Sequence, residues 1–133
     1  MARGSPRKKT LDSDANYFYN AEVMTDQSRD FLGEFEQIVL LALLRLGDDA
    51  YGVPIRQEIE DRTGRPVSVG ALYSTLDRLE GKGLVSSFFS DPRPERGGRS
   101  RRYFRAEALG IAALERARHR LASMWEGLDL EKA

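Results

Sequence analysis

The 133-residue sequence contains no cysteine. That excludes disulfide staples and thiol nucleophiles in this chain, and it fits a reducing, cytoplasmic setting. Histidine is scarce: His119 is the only one, and it stands between Arg118 and Arg120 on a stretch that reads as surface. No spacing of metal ligands, no nucleophile elbow and no phosphate-cradling glycine loop is present. Gly97-Gly98 lacks the following helix that phosphate binding needs. An enzyme is therefore not expected, nor is a metal or cofactor. No apolar run approaches about 18 residues, so no transmembrane helix and no membrane partner are expected. The basic start, Met1 to Lys9, is not followed by an apolar segment and does not read as a secretory signal. Net charge is also missing: 21 basic side chains balance 21 acidic ones, so any electrostatic function must be local.

What is present fits one modest domain with an arm. Charged residues make up 32% and hydrophobic ones 41%. Residues 1–30 carry few aliphatics, with Arg3, Arg7, Lys8 and Lys9 clustered at the start. Such a segment buries little, so a flexible or partly helical arm is expected, with a short helix near Asp14 to Met24 as the structured option. It reads first as a solvated tail; the functional alternatives are an arm along DNA phosphates or one on a partner subunit through Tyr17, Phe18 and Tyr19.

Gly33 to Leu46 predicts the first helix. Phe35, Ile38, Val39, Ala42, Leu43 and Leu46 form a wide apolar stripe. Leu40, Leu41 and Leu44 extend it almost all round, which predicts a central helix covered on several sides. Gly52 to Arg62 predicts a second helix, with Pro54 in its first turn, Ile55 and Ile59 inward and Val53 near them. Arg65-Pro66-Val67 is expected to be extended, as a short strand. Ser68 to Leu84 holds the third helix. Leu72, Leu76 and Leu79 share one face, Ser68 is a natural N-cap, and Gly81 and Gly83 end it. Its opposite face starts small and uncharged, with Val69, Gly70, Tyr73 and Ser74 before Asp77. Such a face fits the major groove of DNA; the alternative is an ordinary core helix.

Leu84 to Ser90 reads as a strand, Asp91 to Ser100 as a loop and Arg101 to Arg105 as the return strand. Residues 91–105 hold six arginines against Asp91 and Glu95. A helix from about Glu107 to Leu128 closes the chain. Leu114, Ala117, Leu121, Met124 and Leu128 follow a 3-4-3-4 spacing, flanked by Ile111 and Trp125. That stripe suits pairing with a second copy; folding back on its own domain is the alternative.

The element order is that of a winged helix-turn-helix: mainly α with a small β-hairpin, plus a C-terminal dimerisation helix. The expected division is an arm at 1–30, a DNA-binding domain at 31–105 and the pairing helix at 106–133. In this class the second helix of the motif enters the major groove and the wing reaches phosphates. Ser68, Gly70, Tyr73, Ser74 and Arg78 are the candidates on the helix. Arg93, Arg96, Arg99, Arg101 and Arg102 are those on the wing, with Arg56 and Lys82 as backbone contacts or plain surface charges. Tyr73 is placed outside, where it meets sugar or phosphate; the alternative puts it under the wing. Tyr51 is expected to pack at the helix junction. Leu114, Ala117, Leu121, Met124, Trp125 and Leu128 are the expected dimer interface. Trp125, Met124 and Leu121 with the first helix also offer a pocket for a small aromatic effector. The rival reading is a winged-helix module that binds protein and never touches DNA.

The run GEFEQIVLLALLRLGDDAYGVPIRQEIEDRTG, then VGALYSTLDRLEGKGLVSS, the wing ERGGRSRRYFR and Leu109-Gly110 together resemble the PadR family of bacterial transcriptional regulators. The resemblance implies a dimer paired through the C-terminal helix, bound to a near-palindromic promoter site and usually repressing. It implies DNA contact at Gly70, Tyr73, Ser74 and the wing arginines, and the single terminal helix implies the shorter branch. The family's effectors include phenolic acids and drug-like molecules, so no particular ligand carries over. Two positions depart from the family. Ser74 stands where many relatives carry proline, and Ala106-Glu107-Ala108 replaces a threonine-bearing helix start.

Overall fold

The computed structural model describes residues 31–90 and 100–132. The arm expected at 1–30, with its helix near Asp14 to Met24, and the wing residues Arg93, Arg96 and Arg99 lie outside the described residues. The compact unit begins at Leu32.

Helix α1 is Glu34–Leu46. Its cap residue Gly33 has no side chain to offer, but its N–H donates to Glu36 Oε1 at 3.0 Å. Glu34 and Glu36 favour the positive end of the helix dipole. Val39, Leu40, Ala42 and Leu43 are buried, whereas Leu41 and Leu44 remain 48% and 45% exposed. As expected, α1 is central and covered on several sides; the flank that carries Leu41 and Leu44 stays open in the monomer.

Gly47, at φ 60°, ends α1, and a 3-10 turn, Gly47–Asp49, leads to α2, Gly52–Thr63. Ile55 and Ile59 point into the core, but Val53 is exposed. The short strand expected at Arg65-Pro66-Val67 does not form. The side chains of α2 take the backbone there: Arg56 Nε donates to Val67 O at 2.8 Å, and Val67 N–H donates to Glu60 Oε2 at 3.0 Å. The hairpin instead gains its third edge from Tyr51, which bridges Tyr103, while Phe104 N–H donates to Ala50 O at 2.9 Å.

Helix α3 is Val69–Gly81. Ser68 Oγ accepts the Ala71 N–H at 3.1 Å, the N-cap bond its hydroxyl predicts. Leu72, Leu76 and Leu79 are fully buried and Thr75 nearly so. The helix closes in a Schellman turn: Leu84 N–H reaches Leu79 O and Gly83 N–H reaches Glu80 O, both at 3.0 Å, with Gly83 at φ 80°.

Strands β1, Val85–Phe89, and β2, Arg102–Ala106, pair antiparallel with Ser87 opposite Phe104. Phe104 anchors the hairpin in the core. Helix α4 is Ala108–Trp125. It starts without a side-chain cap, since Glu107 instead accepts a hydrogen bond from Ser86 Oγ. It ends three residues earlier than expected, so Leu128 lies beyond it, after Gly127 at φ 81°.

Candidate nucleic-acid interface

The outer face of α3 is bare. Ser68, Val69, Gly70, Ser74 and Asp77 are exposed, and nothing lies within 4 Å of where a Cβ on Gly70 would stand. A cylinder with so little side chain lets its backbone come close to a groove floor.

Tyr73 does not stand free on that face. Its ring meets Phe104 edge-on at 5.9 Å and is half-buried, and its hydroxyl reaches over Gly52. The expected outward ring is corrected. The ring lies at the seam between α2, α3 and the hairpin. Tyr51, expected at the helix junction, packs on the hairpin instead, edge-on to Tyr103 at 5.4 Å.

The cations divide into engaged and presented groups. Arg78 turns sideways toward α1, where its Nε lies 3.0 Å from Glu36 Oε2; the side chain stays half exposed. Lys82 joins the same carboxylate at 3.1 Å. Burial by itself would raise the pKa of Glu36; the Gly33 N–H, Arg78 and Lys82 outweigh it and hold that carboxyl below the usual range. Arg102 is tied within the monomer, to Asp77 Oδ1 at 3.2 Å and Glu80 Oε1 at 2.8 Å. Arg101 stacks over Tyr51, with 4.1 Å from Cζ to the ring centroid, at the root of the wing. Arg105 lies over Phe88 at 5.3 Å.

Two cations that the sequence reading passed over also flank the site. Arg65 stands over Phe35 at 4.5 Å, beside the start of α3, and Arg105 sits on the outer face of the hairpin. Their signal was in the sequence: Arg65 precedes the proline of the helix-turn-helix turn, and Arg105 ends the return strand. Only packing shows where each guanidinium goes.

The α4 stripe divides. Leu114 and Ala117 are buried within their own unit, so they belong to the monomer core rather than to a free seam. Leu121, Met124 and Trp125 are 57%, 76% and 57% exposed. Leu121 and Trp125 line a groove of about 530 Å³ with Leu41, Leu44, Ile111 and Leu114. Met124, grouped with them in the sequence reading, is not among the lining residues. His119 is exposed, and among the described residues no group of three or more acidic or histidine side chains is placed to hold a metal ion. No helix among them is long and apolar enough to cross a membrane.

The same arrangement occurs in known proteins. The profile of the transcriptional regulator PadR-like family matches residues 40–116. An uncharacterized protein of Lysinibacillus sphaericus is 32% identical over 100 residues, covering 74% of this chain and 87% of that one. The transcriptional regulator Rv3488 of Mycobacterium tuberculosis is 40% identical over 77 residues, 58% of this chain and 67% of that one. The crystal structure of a PadR-like transcription factor from Bacteroides fragilis superposes with a TM-score of 0.62, at 24% identity, over 77% of this chain and 92% of that one, and so shares the fold. With its winged helix-turn-helix, bare probe helix and matching profile, the chain belongs to the transcriptional regulator PadR-like family and is a DNA-binding regulator rather than an enzyme.

Proposed function

We propose that this regulator is a homodimeric repressor that grips a near-palindromic promoter site and lets go when a small aromatic molecule binds. Under this reading residues 1–30 form an arm, 31–105 bind DNA and 106–133 pair the subunits. Ser68, Gly70, Tyr73 and Ser74 meet the major groove, while Arg96, Arg99 and Arg101 meet phosphates beside it. The observation that carries the reading is the uncovered apolar ground on α1 and the end of α4. Leu41, Leu44, Leu121 and Trp125 face one groove, and water-exposed apolar side chains in such number favour a second subunit. A two-fold pair of probe helices reads an inverted repeat, and a protein seated on a promoter represses by occupancy. The groove falls within the range of small-molecule sites, and its Trp125 indole offers a flat face to an aromatic ligand.

Selection of bound duplexes from a random pool tests the proposal. An enriched inverted repeat, bound by two copies of the chain, is the expected result. Enrichment of a single half-site bound by one copy overturns the dimer; no enrichment overturns the sequence-specific reading.

A further inference from the structure

The probe helix is pinned on both flanks by ion pairs. On the α1 side, Glu36 gathers Arg78 and Lys82. On the wing side, Arg102 gathers three partners from two elements. Its Nη2 donates to Asp77 Oδ1 at 3.2 Å and Glu80 Oε1 at 2.8 Å, both on α3. Its Nε donates to Ser87 Oγ at 3.2 Å on β1. Ser87 Oγ in turn donates to both carboxylate oxygens of Glu80 at 3.0 Å, and the guanidinium lies over the Phe104 ring at 4.8 Å. Arg102 is also the first residue of β2, where the wing loop re-enters the sheet.

Three of the five N–H donors of this guanidinium, the one on Nε and the two on Nη2, are committed to its own protein, which leaves only Nη1 for a phosphate. We propose that Arg102 is a positioning residue for DNA recognition: it locks the angle between α3 and the wing, and Asp77 and Glu80 serve as its anchors. Specificity depends on that angle, because the wing's backbone contacts fix the register and orientation in which α3 meets the base edges. Phosphate attraction is far less demanding of geometry. Losing the lock therefore lowers the ratio of specific to non-specific affinity rather than binding in general. The inference rests on DNA binding through α3 and the wing.

Charge and geometry can be set against each other. Arg102→Lys keeps the charge but cannot span Ser87, Glu80 and Asp77 with one ammonium. Glu80→Gln makes the protein more positive, so simple attraction predicts tighter binding to every duplex. The lock predicts the opposite for the best duplex from the random-pool selection: both variants lose about three- to tenfold there, as expected for a partly exposed ion-pair network. Toward a scrambled duplex of equal composition, Arg102→Lys stays unchanged and Glu80→Gln does not weaken. The slope of log affinity against log salt for Arg102→Lys matches the wild type. If Arg102→Lys binds the selected duplex like the wild type, or Glu80→Gln tightens both duplexes alike, the lock is overturned while the regulator stands. If no duplex is selected, the recognition it serves is overturned too. Circular dichroism melts establish that each variant is folded, and should Arg102→Lys fail to fold, the sign of the Glu80→Gln effect decides alone.

Discussion

The hydroxyl oxygen of Tyr73 lies 2.6 Å from where a Cβ on Gly52 would stand, so the tyrosine of the probe helix rests on the first turn of α2. This couples a candidate DNA contact to the fold. Tyr73→Ala removes a half-buried ring that packs on Phe104 and costs about 2–3 kcal/mol of stability, which confuses any binding measurement. Tyr73→Phe keeps the ring. It is expected to change stability by less than about 0.5 kcal/mol and to weaken binding to the selected duplex severalfold. Unchanged affinity would remove Tyr73 from the contact set.

Gly110 in α4 admits no side chain. A Cβ there would collide with the Leu84 carbonyl oxygen and stand 3.2 Å from Leu40 Cδ2. Backbone cannot yield as a side-chain tip does. Gly110→Ala is expected to cost about 2 kcal/mol or more, read from urea midpoints with the slope unchanged. A neutral or stabilising result would show that α4 rides more loosely on the hairpin.

Glu36 sets a pH limit. Its folded pKa lies below the usual value, so its ionised form contributes stability at and above neutral pH. That contribution is lost as pH falls from the unfolded pKa, near about 4.3, through the depressed folded value. Glu36→Gln is expected to cost about 2 kcal/mol at pH 7, because Lys82 and Arg78 lose a nearly buried partner. The gap to wild type should narrow on acidification below about pH 4.3. An equal deficit at pH 7 and in acid would contradict the ion-pair assignment.

The two halves of the α4 stripe should respond differently. Leu121→Asp places a charge on the exposed groove and is expected to yield folded monomers by sizing. Leu114→Ala opens the core and is expected to cost about 2–4 kcal/mol in any oligomeric state. A dimer that survives Leu121→Asp would move the pairing surface elsewhere.

Phosphate contact by the wing has a salt signature. Arg96→Ala and Arg101→Ala should each reduce the slope of log affinity against log salt by about 0.9. A slope that stays put in both would take the wing off the backbone.

Apart from the strand expected at Arg65-Pro66-Val67, element type and order were legible in the sequence because their signals are local. Leucines at helical spacing, Ser68 as a cap, Gly83 at a left-handed turn and a proline-glycine loop between β-rich runs each act within a few residues. The bare outer face of α3 followed from the same periodicity. The destinations of long side chains did not, because an arginine reaches whatever carboxylate the fold brings near. The fold turned Arg78 to Glu36 and Arg102 to Asp77 and Glu80, partners 25 to 42 residues away along the chain for Arg78 with Glu36 and Arg102 with Asp77. It also drew Leu114 and Ala117 inward and left Leu121 and Met124 outside, although all four share one stripe. A period of 3.6 says which residues lie together on a helix; where the neighbouring helix stops is a property of the packed molecule alone.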